Sequence, residues 1–94
     1  MGADLVEKTE LYGEMLSEAL AIAHISPIGS PSNLTAAEEC IEMANAYLRD
    51  GYVFYEKEDY VNALAAFSYG YGWLDSGVRF GILEVPEGTD LFTV

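Results

Sequence analysis

Positive charge is scarce in this chain: four Lys or Arg stand against sixteen Asp or Glu, a formal net charge of −12 over 94 residues. Four scattered cations neutralise few phosphates, which argues against DNA, RNA or an anionic membrane surface as partners. Cysteine is scarcer still. Cys40 stands alone, so no disulfide closes within the chain, as suits a reducing cytosol. The single histidine, His24, cannot supply the paired Glu-x-x-His motifs of a di-metal bundle, since Leu20 and Ala21 stand upstream of it. No apolar run approaches membrane-spanning length. The N-terminus carries Asp4, Glu7 and Glu10 where a signal peptide is basic. Val6 occupies the position where a myristoylation pattern needs Ser or Thr. The expected setting is the cytoplasm.

Apolar residues, by contrast, are abundant. They make up 51% of the chain, enough for a packed core and too many for a disordered acidic tail. The length fits one domain, residues 1–94, near the small end of what folds alone. The acidity is spread evenly, with a net charge of −4 in each of residues 1–33, 34–58 and 59–94. A solvated surface, a salt-adapted source and a cationic partner are three readings of it.

Hydrophobic spacing predicts three helices. In the first, about residues 4–24, Leu5, Thr9, Tyr12, Leu16, Ala19 and Ala23 recur at steps of four and three. Residues 26–33 hold two prolines, a glycine and three serines and read as a linker. Asn33-Leu34-Thr35 matches a glycosylation pattern, but Thr35 with Glu38 reads better as a capping box. The second helix, about 36–57, turns inward Ala37, Ile41, Ala44, Leu48, Gly51 (or Tyr52) and Tyr55. A break at Glu58-Asp59, with Asp59 as N-cap, makes the second and third helices an antiparallel hairpin. The tail, residues 84–94, contains Pro86 and Gly88 and is not helical.

The third helix, about 60–83, has two apolar stripes where an outer bundle helix needs one. Tyr60, Leu64, Phe67, Tyr71, Leu74, Val78 and Gly81 form the first. Ala66, Tyr69, Trp73, Ser76, Phe80 and Leu83 form the second. Ala63, Gly70 and Gly77 fall seven apart along one edge of the first stripe, where small residues admit a neighbouring backbone. Gly70 and Gly72 could instead mark a break, but the period continues in phase across them.

Candidate sites are few. Glu14/Glu18 and Glu38/Glu42 are helically spaced pairs on outward faces. His24 is placed to cap the first helix dipole. Cys40, in the expected first turn of the second helix, sits among Glu38, Glu39 and Glu42, which oppose thiolate formation. Asp75 and Arg79 form an i, i+4 pair that is either a plain helical ion pair or part of a recognition surface beside Tyr69 and Trp73. The Tyr69/Trp73/Phe80 stripe is covered by the tail, buried in a homodimer, or open to another protein.

Two resemblances enter through the second and third helices. Ala46, Tyr55, Asp59-Tyr60, Ala63-Leu64 and Phe67 are similar to a tetratricopeptide hairpin, but only one unit is present where a solenoid needs about three. The stretch Tyr55–Leu83 carries Gly72-Trp73-Leu74-Asp75-Ser76-Gly77-Val78-Arg79-Phe80-Gly81, preceded by Asp59-Tyr60-Val61. It resembles a small archaeal family known as domain of unknown function 357, strongly over residues 40–94 and weakly over the first helix. Leu91-Phe92-Thr93-Val94 is also similar to how its members end. The resemblance implies a three-helix bundle in an archaeal cytoplasm and brings no activity with it.

The expectation is thus an all-α, three-helix antiparallel up-and-down bundle with a non-helical C-terminal tail. Its surface for a protein partner or a second copy is Tyr69, Trp73, Asp75, Ser76, Arg79 and Phe80. No catalytic residue, metal ligand or cofactor is expected. Two other classes stay open: a small enzyme or ligand-binding bundle around Asp75 and Arg79, perhaps with Arg49, and an RNA- or nucleotide-associated bundle. The latter class carries an Arg-x4–6-His motif, and neither Arg49 nor Arg79 has a histidine downstream.

Overall fold

The computed structural model describes residues 2–27 and 29–92. Three helices, α1 (Gly2–Ile22), α2 (Pro31–Glu56) and α3 (Tyr60–Arg79), run up, down and up, packed against one another. Two short strands, β1 (His24–Ile25) and β2 (Leu83–Glu84), pair antiparallel and tie the chain after α1 to the chain after α3. The all-α bundle with a short non-helical tail is therefore the fold.

Its centre is one aromatic ring. Phe67 is fully buried, and its ring lies between Gly13 of α1 and Gly51 of α2. A Cβ at Gly51 would stand 2.3 Å from Phe67 Cε1, and one at Gly13 would stand 2.9 Å from its Cζ. Both glycines thus make a slot that any side chain would fill. Tyr52 meets the ring edge-on, with centroids 5.1 Å apart. Burying such a side chain contributes roughly 1.5–3 kcal/mol. Further along α3 the same device recurs, since a Cβ at Gly70 would meet Leu16 Cδ2 at 2.8 Å and the Ala44 carbonyl at 3.3 Å. The deepest line of α3 is accordingly Ala63, Phe67, Gly70, Leu74 and Gly77. Leu64, Tyr71 and Val78 of the expected first stripe flank it, half-buried. Small residues take the centre because two helices must approach α3 at once.

At the α2–α3 turn, the chain reverses through Glu58, which adopts φ 61°. The Asp59 amide donates to the Phe54 carbonyl (2.9 Å) and the Glu58 amide to the Tyr55 carbonyl (3.0 Å), the paired bonds of a Schellman end. Asp59 then caps α3, its carboxylate accepting from the Asn62 amide at 3.3 Å. Nearby, buried Thr9 donates its hydroxyl to the Leu5 carbonyl at 2.8 Å, and Tyr55 donates to a Glu10 carboxylate at 3.1 Å.

Several boundaries differ from the sequence expectation, each for a local reason. Helix α2 starts at Pro31, inside the expected linker, with Ser30 as N-cap accepting from the Asn33 amide at 3.2 Å. Proline suits the first helical position, where its missing N–H costs nothing. The Thr35–Glu38 capping box does not form; Thr35 donates to the Pro31 carbonyl within the helix. Helix α1 stops at Ile22, so His24 lies in β1, exposed, and does not cap it. Helix α3 stops at Arg79 rather than near Leu83. Gly81, at φ 78°, supplies the left-handed residue of a second Schellman end, with the Ile82 amide donating to the Gly77 carbonyl (3.1 Å) and the Gly81 amide to Val78 (3.1 Å).

Candidate functional site

The second Schellman end turns the chain back over α3 and decides which face stays open. Leu83 is buried against Gly77, and the tail continues to Phe92, also buried. Phe92 packs on the Tyr71 ring, with centroids 5.8 Å apart, and Tyr71 donates its hydroxyl to the Leu91 carbonyl. Burial, then Asp75 and Glu18 nearby, hold the Tyr71 phenol above its ordinary pKa and so neutral as a donor. The tail up to Phe92 therefore covers the Tyr71 side of α3, not the Trp73 stripe. Of the three alternatives for that stripe, cover by Leu91 and Phe92 is the one the structure does not show; Thr93 and Val94 lie outside the described residues.

What remains is an open apolar groove of about 630 Å³ between the first turns of α2 and the second half of α3. Tyr69, Trp73, Ser76 and Phe80 line it from α3, with Ala36, Glu39 and Cys40 across from them. Ile82, Ser68 and Gly72 complete it. Tyr69 is 66% exposed, Phe80 78% and Trp73 37%. A tilted contact with Tyr47, centroids 5.7 Å apart, fixes the Tyr69 ring. Nothing stands within 4 Å of where a Gly72 Cβ would be, so that glycine keeps the groove wall low without packing against anything.

Four of the six residues named from sequence thus converge: Tyr69, Trp73, Ser76 and Phe80. Asp75 and Arg79 do not line the groove. Arg79 Nε donates to Asp75 Oδ2 at 3.1 Å in a partly exposed i, i+4 pair, which contributes a few tenths of a kcal/mol. Arg49, on the second half of α2, is absent from the groove lining too. Sequence reasoning missed the opposite wall, Ala36 and Glu39, although both fall inside the expected second helix, because spacing along one helix does not say which of its flanks meets α3.

Cys40 belongs to this wall, and its chemistry follows from burial. It sits in the third turn of α2, not the first, so the helix terminus is too far to help its thiolate. Desolvation, then Glu39, push the thiol pKa up. It is a packing residue, beside Gly77. Among the described residues, no group of three His, Cys, Asp or Glu side chains could hold a metal ion, and no helix is long and apolar enough to cross a membrane.

The fold and groove define a class: a small three-helix bundle that seals one face of its last helix with its own tail and leaves the adjoining aromatic face open. The family model for Protein of unknown function (DUF357) matches residues 11–83, from the first half of α1 to β2, and the chain belongs to that family. No curated protein and no solved structure matches it.

Proposed function

We propose that this chain is a non-enzymatic protein-interaction module, acting in the cytoplasm, whose binding face is the groove lined by Tyr69, Trp73 and Phe80. One observation carries the reading: two largely exposed aromatic rings, Tyr69 and Phe80, and a partly exposed Trp73 surround an open apolar groove while the tail up to Phe92 packs elsewhere. Exposed aromatic clusters of this kind mark sites of association, and Trp and Tyr dominate the energetics of such interfaces. The groove lining offers apolar contact, two serine hydroxyls and one carboxylate, which suits recognition of a surface. The partner is a protein, whether a second copy or another chain.

A photo-crosslinking amino acid placed at Phe80, and separately at the also largely exposed Val61 near the start of α3, tests this in cells of the source organism. The expected result is a discrete crosslinked product from position 80 and none from position 61. Products of the same kind from both positions, or from neither, would overturn the reading.

A further inference from the structure

The groove lies at one end of the bundle, and charge is not shared equally between the ends. The C-terminal part of α1, the N-terminal part of α2, the C-terminal part of α3 and the tail gather there, tied by the β1–β2 pairing. Those segments, residues 15–43 and 70–92, hold eight carboxylates and one cation, Arg79, which is engaged by Asp75. Residues 2–14 and 44–69 hold eight carboxylates and three cations. Glu39 stands in the groove lining itself, and Glu42, three residues further along α2 and so its neighbour on the helix surface, is exposed. An apolar trough with an acidic surround selects an occupant of the opposite sign. A second copy of this chain would bring the same excess of negative charge against it, and nucleic acid or an anionic bilayer would do likewise.

Shape narrows the occupant further. The groove follows α3 from Tyr69 to Phe80, about 16 Å at the helical rise, or three turns. That length matches an amphipathic helix laying apolar residues at i, i+4 and i+7 into the trough. We infer that the groove between α2 and α3 docks a cationic amphipathic helix of another protein, with apolar anchors among Tyr69, Trp73 and Phe80 and Lys or Arg reaching Glu39 and Glu42. This rests on the interaction-module reading and names the chemistry of its partner.

The test is selection of binders to the whole chain from a displayed random library of peptides about 16 residues long, enough for four helical turns. Recovered peptides are then titrated, as synthetic labelled peptides, against wild type, Trp73→Ala and the charge reversal Glu39→Lys/Glu42→Lys. The expected binders carry net positive charge with apolar residues at helical spacing. They weaken about 30-fold on Trp73→Ala, as for a central aromatic anchor. They weaken also on charge reversal and at high salt. Trp73-dependent binders that are neutral or acidic would overturn the cationic inference and leave the interaction reading standing. A wild-type dimer dispersed by Trp73→Glu would do the same. Cationic binders indifferent to Trp73, or no binders at all, would overturn both.

Discussion

The two ends of this bundle are built on opposite rules. At the α2–α3 turn, a ring is clamped between two glycines, the helix ends are closed by a Schellman turn and an Asp N-cap, and three of the four cations lie in or toward that half. At the other end, aromatic rings stand in water, a glycine faces open space, and carboxylates outnumber cations eight to one. Both ends use small residues for close packing, Gly77 against Leu83 at the second, but only the second leaves a trough along one face of α3. Stability and recognition are therefore separable along the length of α3, and substitutions at the two ends should behave differently.

The largest effect is expected at the packed end. Gly51→Ala puts a methyl group 2.3 Å from the Phe67 ring, a distance real Cβ contacts do not show. The ring cannot withdraw, because Gly13 of α1 lies against it on the other side. Overpacking against a ring held on both sides falls at the upper end of about 1–3 kcal/mol, and alanine's better helix propensity returns roughly 1, which leaves a net loss of about 2. Net destabilisation in urea-induced unfolding checks it. A variant as stable as wild type would mean the slot is loose and the contrast between the ends unfounded.

The opposite sign is expected at Gly72. An alanine there meets nothing within 4 Å and sits in the interior of α3, so helix propensity acts unopposed. Gly72→Ala should stabilise by about 1 kcal/mol. For a domain near 100 residues that is a rise in Tm of roughly 4–8 °C. Loss of stability would show that the groove is more closed than the open space at Gly72 indicates. If the variant gains stability but loses peptide binding, the glycine is kept for the groove and not for the fold.

These two glycines also show where sequence reading succeeds and where it stops. Periodicity alone gives three helices, the hairpin turn and the Asp59 cap, because each rests on contacts within a few residues. It places Gly51 on an inner face and Ala63, Gly70 and Gly77 on one edge, since spacing along a helix translates directly into a line in space. It does not distinguish the packed glycine from the idle one; only the distance to Phe67 does. Nor does it find where α3 ends, because Gly81 fits the stripe as well as it fits a Schellman turn. The tail was the least legible part. Leu91 and Phe92 look fit to cover either apolar face, and the choice is made by the reversal at Gly81 and by the Tyr71 hydroxyl meeting the Leu91 carbonyl. Half of the groove, the α2 wall, depends on contacts distant in the chain, which spacing within α2 does not reveal.

The smallest effect on stability is expected at Phe80, and its smallness is informative. Phe80 is the C-cap of α3 and the most exposed of the groove aromatics, so the described residues cover little of its ring. Its cap bonds come from the backbone, the amide donating to the Ser76 carbonyl at 2.9 Å, and any residue supplies them. Phe80→Ser should therefore change unfolding free energy by no more than about 0.5 kcal/mol, the range of an ordinary surface site. A loss of about 2 kcal/mol or more in thermal or urea unfolding would mean that the ring already has a partner within the chain. The open end would then be a second packed end. With stability unchanged, a fall in partner capture by the same variant can be assigned to the groove, because the core around Phe67 has been left intact.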